Sequence, residues 1–340
     1  MFPWRDRRRT IAVACFIFVL VLTIIHQFES RVTSPFRTND INDVYNSTLG
    51  FEKVLVVSTN PSWRIEGLRA AANRTGIHFE VPQQPKWSTS EVDLFRGVGL
   101  EDRKSEIGPG QAQCWLGHLN VIHDMLVQNW STALIMEDDN DWDIMIKQQL
   151  SMVAPMIRRL TGSMGSVTDS PYGDTWDLLW LGHCGDDVPA TGSIVSQIDQ
   201  TLPDSALYRQ VYGEYGYISP QLRMVHRTNI PTCTYAYALT SRAALKIYTL
   251  THSGSDRIIT VDLREWCARG VLRCVIVNPE LFHHHKKAGE LSSEIAVIEG
   301  WDEIAGPEKF DYTANIRYSA RCNSNSGELV TCQDEWGKDR

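Results

Sequence analysis

Short runs of consecutive apolar residues alternate along the chain with segments of helical periodicity. The apolar runs predict buried strands at 54–57, 77–81, 133–136, 176–181, 233–239 and 272–277. Helices are predicted between them, at 65–75, 115–129, 241–250 and 263–269. Because strands that alternate with helices form a mainly parallel sheet, the pattern indicates the α/β class. The stretches 161–175 and 183–230 are rich in Gly, Ser, Asp, Pro and Tyr and predict long loops over the sheet.

The N-terminus has a different pattern, in which four arginines precede an unbroken apolar run from Ile11 to Ile25. The run is short for a membrane span, which needs ~20 residues, and it also matches the apolar region of a cleaved signal peptide. No small-x-small cleavage site follows it, which favours an uncleaved signal anchor. The arginines then stay cytoplasmic, and the body lies in the lumen of the ER or Golgi. The predicted segments are a tail at 1–9, a membrane helix at 10–26, a stem at 27–50 and a catalytic body at 51–340.

Composition excludes two other classes of protein. The 340 residues are 43% hydrophobic, enough apolar material for a sizeable core, so global disorder is excluded. The net charge is −8, with 33 basic against 41 acidic side chains. The first nine residues hold four of the basic and one of the acidic groups, so the remainder is still more acidic. Nucleic acid is therefore not an expected partner, since phosphate contacts need a basic face.

Cysteines and glycosylation sequons agree with a lumenal body. Seven cysteines lie outside the apolar run, an odd number that leaves at least one thiol without a partner in the chain. Cys322 and Cys332 are the natural local pair, and the sequence leaves the other pairings open. Sequons occur at Asn46, Asn73 and Asn129.

The acidic segment 137–143 is the sharpest chemical feature, with five carboxylates in seven residues directly after the strand 133–136. Ligands of open α/β sheets bind at the carboxyl ends of strands, and clustered carboxylates there favour a divalent cation such as Mn²⁺ or Mg²⁺. The predicted metal ligands are Glu137, Asp139 and Asp141. A solvated acidic loop is the alternative interpretation.

Three consecutive histidines follow the last predicted strand, at 283–285, and two lysines come next. One imidazole could complete the metal site. The sequence gives no means of choosing among the three, and His284 is taken as their representative. One of the lysines could hold a diphosphate. An exposed polar tract is the alternative.

The order of motifs resembles glycosyltransferase family 25, which includes lipooligosaccharide and collagen galactosyltransferases. The resemblance lies mainly in Gly110–His118 and in the strand that ends in Glu137-Asp138-Asp139, similar to the family's G-E-x-G-C-x-x-S-H and E-D-D elements. Further similar segments are 54–64, 176–182, 234–244 and Val261-Asp262. The chain departs from the family pattern at three positions, which are Gln111, Gln113 and Gly117.

The resemblance implies a GT-A fold and an inverting transfer, typically of galactose from UDP-galactose, with the E-D-D element in the role of a D-x-D metal motif. The register of that motif is open, because Asp139-Asn140-Asp141 is itself D-x-D. Residues implied near the nucleotide sugar are Ser58, Arg64, Gly110, His118 and Asp138.

An inverting transfer needs a general base that takes the proton of the acceptor hydroxyl. Asp262, at the start of a predicted helix, and Glu214, in a Tyr-rich loop, are the two candidates. The alternatives are a structural N-cap for Asp262 and a solvated loop charge for Glu214.

These observations predict a single-pass type II membrane glycosyltransferase that moves a sugar, galactose by resemblance, from a UDP-sugar to a glycan or glycoprotein acceptor. One alternative is an inactive relative that binds glycans or nucleotide sugars. The other is a metal-dependent phosphohydrolase, although the acidic segment lacks the Thr or Val of the D-x-D-x-[TV] motif.

Overall fold

A computed structural model describes most of the body of the chain, namely residues 44–59, 62–98, 105–164, 170–189, 191–204, 208, 221–291, 293, 295 and 306–332. The strands are β1 (Lys53–Val57), β2 (Thr132–Glu137), β3 (Asn140–Trp142), β4 (Leu178–Gly182), β5 (Ile194–Ile198), β6 (Leu222–Arg227), β7 (Ala236–Thr240), β8 (Cys274–Asn278), β9 (Phe282–Lys286) and β10 (Tyr312–Thr313). The helices are α1 (Trp63–Thr75), α2 (Thr89–Phe95), α3 (Pro109–Val127), α4 (Ile146–Thr161), α5 (Ser241–Leu250) and α6 (Ile259–Ala268).

One mixed sheet organises these elements, in the strand order β1-β2-β7-β4-β8-β6-β5. The pairs β1–β2 and β4–β8 are parallel, and β7 is antiparallel to both β2 and β4. The strands β1, β2, β4 and β8 therefore all point the same way. Beyond the end of β4, β9 extends the sheet and pairs with β3 and β10.

Helices cover both faces of the sheet, because the strand side chains alternate between two buried clusters. Leu134 and Met136 of β2 face α1 and α4, whereas Ala133 and Ile135 face α3, α5 and α6. The predicted α/β class is thereby confirmed as a mixed sheet between two helical layers.

Most of the predicted elements are present with shifted ends. The helix 241–250 has the predicted bounds, and α3 begins six residues before the prediction, at Pro109. The strand predicted at 77–81 is reduced to a bridge between Leu55 and Glu80. The loop prediction for 183–230 is wrong in part, because β5 and β6 lie within it.

The predicted stem boundary differs from the structure. Val44 and Leu49, within the predicted stem 27–50, are fully buried, and Phe51 stacks on Tyr172 at 4.6 Å. Residues 44–50 therefore belong to the folded body. The predicted tail, membrane helix and most of the stem lie outside the described residues, and none of the helices within the described part is long and apolar enough to cross a membrane.

Three disulfides join cysteines of the body. The predicted Cys322–Cys332 pair is confirmed, and the others are Cys184–Cys233 and Cys267–Cys274. Cys114 is the free cysteine within the described residues, so the prediction of an unpaired thiol is also confirmed.

Candidate functional site

The carboxyl ends of the parallel strands meet at one edge of the sheet. Ser58 follows β1, Asp138 follows β2, and Cys184 follows β4. Since β7 runs in the opposite direction, the residues before it, Thr234 and Tyr235, lie at the same edge. The predicted carboxylates thus lie where open α/β sheets bind ligands.

An arginine on the first turn of α1 holds the acidic loop. The side chain of Ser62 caps the N-terminus of α1 by accepting the backbone N–H of Arg64 at 3.3 Å. This cap fixes the start of the helix and so the position of Arg64 on its first turn. The Arg64 guanidinium is only 7% exposed, and its Nη1 lies 3.1 Å from Asp139 Oδ2 and 3.6 Å from Asp138 Oδ1. The Ser58 hydroxyl donates to Asp138 Oδ2 at 2.7 Å. Ser58, Arg64, Asp138 and Asp139 are therefore one contiguous cluster.

The other oxygen of Asp139 is the unusual atom of this cluster. Asp139 is 7% exposed, and its Oδ1 is buried with no hydrogen-bond partner among the described residues. An unpaired buried carboxylate oxygen costs free energy, because nothing replaces its hydration. A cation or a ligand donor at this position would remove that cost.

Glu137, at the end of β2, faces a different set of partners. Thr234 donates its hydroxyl to Glu137 Oε1 at 2.8 Å, and His118 Nε2 lies 3.9 Å from the same oxygen. Burial, followed by the neighbouring Asp139 charge, raises the pKa of Glu137 above its ordinary value. His118, which the resemblance places near the nucleotide sugar, is itself 0% exposed. In the structure it lies behind Glu137.

Asp141 is enclosed by protein donors. Its carboxylate accepts the hydroxyls of Ser319 and of Thr313, the latter at 2.6 Å, and the backbone N–H of Arg321 at 3.1 Å. The residue is 0% exposed. These contacts favour a structural role, in which Asp141 attaches the C-terminal segment to the acidic loop.

Arg321 adds a second buried cation to the loop. Its guanidinium donates to the carbonyl oxygens of Asp138 and Asn140, both at 2.7 Å. Sequence reasoning missed Arg321, because 180 residues separate it from Asp141 and no local pattern connects the two. It also missed Thr234, which reaches Glu137 only because β7 pairs with β2.

The three histidines lie on β9, which pairs with β3 of the acidic segment, so they are not an exposed tract. The Nδ1 of His283 is bonded to the His284 carbonyl, and that of His285 to the Thr313 hydroxyl. His284 is half-buried and its ring lies 4.6 Å from that of Tyr235. Of the three, His284 is the most accessible, which agrees with its choice as the candidate ligand.

A cavity of about 760 Å³ opens beside Ser58, between α1, the segment 81–87 and α3. Arg69 and Lys86 bring positive charge to its wall, and Trp87 brings an aromatic face. Gly117, where the family usually has Ser, lines the cavity, and a Cβ there would lie 3.1 Å from Val57 Cγ1. The space is sufficient for a nucleotide.

The remaining predicted residues lie apart from this cluster or outside the described residues. Asp262 is buried on α6, where Ser255 Oγ donates to one carboxylate oxygen at 2.5 Å and Arg257 Nη2 lies 2.7 Å from the other. These contacts favour a structural role for Asp262, although not the predicted N-cap, because the N-cap of α6 is Ile258. Gly110 is buried in the first turn of α3, and Glu214 lies outside the described residues.

The side chains at the carboxyl edge of the sheet suit a metal ion that substrate oxygens help to coordinate, rather than one that protein atoms coordinate alone. Among the described residues, one group of three possible ligands lies within 4.8 Å, namely His285, Cys322 and Cys332, and its cysteines are joined in a disulfide. The four predicted ligands do not form such a group. Mn²⁺ and Mg²⁺ fit the open arrangement, since Mg²⁺ in particular is commonly bound by one or two carboxylates with substrate phosphates. Asp139 Oδ1 would supply the first such oxygen. Glu137 ends β2, and His284 lies on β9, which pairs with β3 of the acidic segment.

Comparison of the chain with protein-family models and with curated proteins found no match.

Proposed function

We propose that the protein is a metal-dependent glycosyltransferase of the GT-A kind, related to family 25, that uses a UDP-sugar as donor. One observation carries the proposal, the buried and unpaired Oδ1 of Asp139 in an acidic cluster whose Ser58 also lines a nucleotide-sized cavity. The ordered sequence motifs agree with it, and galactose is the proposed sugar because of the resemblance.

Different residues would bind the nucleobase, the diphosphate and the metal of the donor complex. Trp87 offers a stacking face to the nucleobase, and Arg69 and Lys86 attract the diphosphate electrostatically. Arg64 holds Asp139 by its Oδ2, and the unpaired Oδ1 would be the oxygen that binds the cation. Asp139, Glu137 and His284 would hold Mn²⁺ or Mg²⁺ together with the diphosphate oxygens.

The metal, when bound, neutralises charge that develops on the departing nucleoside diphosphate. The buried Arg64 pairs with the Asp139 carboxylate, and the buried Arg321 holds the backbone carbonyls of Asp138 and Asn140, so the acidic loop is fixed before the donor arrives. Such preorganisation avoids reorganisation cost at the moment of reaction, which is commonly the largest catalytic term. Glu214 stays the candidate for the general base, since the Asp262 oxygens are engaged by Ser255 and Arg257.

The proposed location is the Golgi or ER membrane, through the apolar segment 10–26, with the body in the lumen. Three disulfides support an oxidising compartment. The sequon residues Asn46, Asn73 and Asn129 are all exposed, as glycan attachment requires. The proposed acceptor is a glycan or a glycoprotein.

The test is a screen of UDP- and GDP-sugars for Mn²⁺-dependent nucleotide release by the full chain, with glycan acceptors present. We expect release from UDP-galactose that is lost in Asp139→Asn. The matched control is Asp174→Asn, the same change at an exposed aspartate before the opposite end of β4, which should keep full activity. Tight UDP binding without release from any donor would instead favour the inactive relative.

A further inference from the structure

His118 is fully buried on α3 and links β7 to Glu137. Its Nδ1 lies 2.9 Å from the hydroxyl of Tyr237, and the two rings are stacked with centroids 5.7 Å apart. Its Nε2 lies 3.9 Å from Glu137 Oε1 and has no hydrogen-bond partner among the described residues. A residue that is 0% exposed cannot contact a nucleotide sugar directly, so any contribution to the site passes through Glu137.

The neighbours of His118 determine its tautomer. Because full burial disfavours the charged form of an imidazole, the ring is neutral and carries one proton. If Tyr237 donates its hydroxyl hydrogen to Nδ1, the proton lies on Nε2 and faces the carboxylate of Glu137. When Glu137 is ionised, as a metal ligand must be, the opposite tautomer would direct the Nε2 lone pair at that carboxylate, which is repulsive. The favoured chain of donors therefore runs from Tyr237 through His118 to Glu137.

Glu137 has its two oxygens in different surroundings. Oε1 receives the hydroxyl of Thr234 and faces His118, so both protein donors converge on one atom. The Glu137 side chain is 29% exposed, so it is not closed off from solvent as His118 is. The 3.9 Å separation from His118 is longer than a hydrogen bond, and a shift of about 1 Å in the carboxylate would close it.

We propose that His118 is a positioning residue, which donates from Nε2 to Glu137 and turns its second oxygen toward the metal and donor, while Tyr237 holds His118 in the required tautomer. This inference rests on the proposed function, and it assigns a role to two side chains that never touch the ligand. Removal of a residue that hydrogen-bonds to a metal ligand commonly lowers metal affinity by about 10–100-fold.

The first test needs no ligand. Nitrogen-15 NMR of the histidine rings in the full chain, with His118→Gln used to assign the signal, distinguishes the two neutral tautomers. We expect the Nε2–H form for His118 in the wild type and a mixture of both forms in Tyr237→Phe. A wild-type ring protonated on Nδ1 would overturn the proposal.

The second test compares two variants whose side-chain amides mimic different nitrogen atoms of the imidazole. His118→Gln places an amide nitrogen near the position of Nε2, whereas His118→Asn reaches only the position of Nδ1. Mn²⁺ affinity in the presence of UDP is measured by calorimetry, and the thermal midpoint of each variant is recorded. We expect His118→Gln to stay within about 3-fold of the wild type and His118→Asn to lose about 10-fold or more.

The outcomes separate this inference from the proposed function. Equal metal affinity in the two variants, with normal wild-type binding, would overturn the role of His118 alone. If the Mn²⁺ affinity of the variants falls only in step with their thermal midpoints, the role of His118 is purely structural. That result would overturn the inference as well. A wild-type chain that binds no Mn²⁺ in the presence of UDP would overturn the proposed function, and this inference with it.

Discussion

The ion pair between Arg64 and Asp139 is the central contact at the residue scale. Both side chains are buried, and Arg64 also approaches Asp138. Removing one partner of a buried pair leaves the other charge without compensation, which costs about 3–5 kcal/mol. The acidic segment could be predicted from its sequence as a candidate site, because its carboxylates are clustered within seven residues. Arg321 and Thr234 could not, since their contacts depend on the pairing of distant segments.

Arg64→Leu should therefore lower the free energy of unfolding by about 3 kcal/mol or more, because Asp139 is left buried and unpaired. The matched control is Arg74→Leu, an exposed arginine on the last turn of the same helix, with an expected change within about 0.5 kcal/mol. Urea denaturation measures both. Equal effects would show that the buried ion pair does not stabilise the fold.

At the scale of elements, strand prediction succeeded for the apolar runs other than 77–81 and failed for polar strands. β6 was missed because it buries Arg223 and His226, and Arg223 is paired with Asp199 at 2.7 Å. β9 buries histidines that looked like an exposed tract. The helix α4 contains Pro155, which ordinarily argues against a helix interior. In each case a tertiary contact or local geometry overrides the pattern.

Gly182 marks the point where β4, β7 and β9 converge. A Cβ at this position would lie 2.8 Å from Ala236 N and 2.9 Å from the carbonyl oxygen and Cβ of Phe282. Gly182→Ala should destabilise the protein by about 1–3 kcal/mol, because backbone atoms cannot move aside cheaply. Gly327→Ala is the control, since nothing lies within 4 Å of that position. Chemical denaturation of the two variants that gave equal midpoints would contradict this account of the strand junction.

The disulfides should differ in their contribution to stability. Cys184–Cys233 joins residues 49 apart, and Cys267–Cys274 joins residues only 7 apart. In the chain-entropy account, removal of the first costs about 4 kcal/mol and of the second about 2.5 kcal/mol. Paired alanine substitutions compared by calorimetry measure the difference. A larger loss for the Cys267–Cys274 pair would contradict the prediction.

The whole molecule carries buried carboxylates that make its stability depend on pH. Asp186 is buried and accepts the N–H groups of Asn229 and Ile230 at 3.0 and 2.7 Å. Burial raises its pKa from 3.8 to about 7. Because the folded state binds this proton more tightly than the unfolded state does, the stabilisation is complete below pH 3.8. It is lost as the pH rises through about 7.

Between pH 4 and 7 the slope of unfolding free energy against pH should therefore become less negative in Asp186→Asn. The difference should be up to ~1.4 kcal/mol per pH unit. The amide also loses one acceptor, which changes its stability by an amount that does not depend on pH, so only the slope tests the prediction. Denaturant titrations at several pH values measure it. Parallel curves for the two proteins would contradict the assigned pKa.

Among the described residues, the acidic cluster with the unpaired Asp139 Oδ1 lies at the carboxyl edge of the sheet, and Ser58 of this cluster also lines the cavity of about 760 Å³. The α/β class and the position of the acidic segment followed from strand-helix alternation. The antiparallel β7 between β2 and β4 did not, because a buried strand has the same apolar pattern in either direction.

The most direct measurement is a calorimetric titration of the full chain with UDP, with and without Mn²⁺, for the wild type, Asp139→Asn and Asp174→Asn. We predict UDP binding that requires Mn²⁺ in the wild type and in Asp174→Asn, and a loss of about 10-fold or more in Asp139→Asn. UDP binding that is equal with and without the metal, or unchanged in Asp139→Asn, would contradict the placement of the donor site at this edge of the sheet.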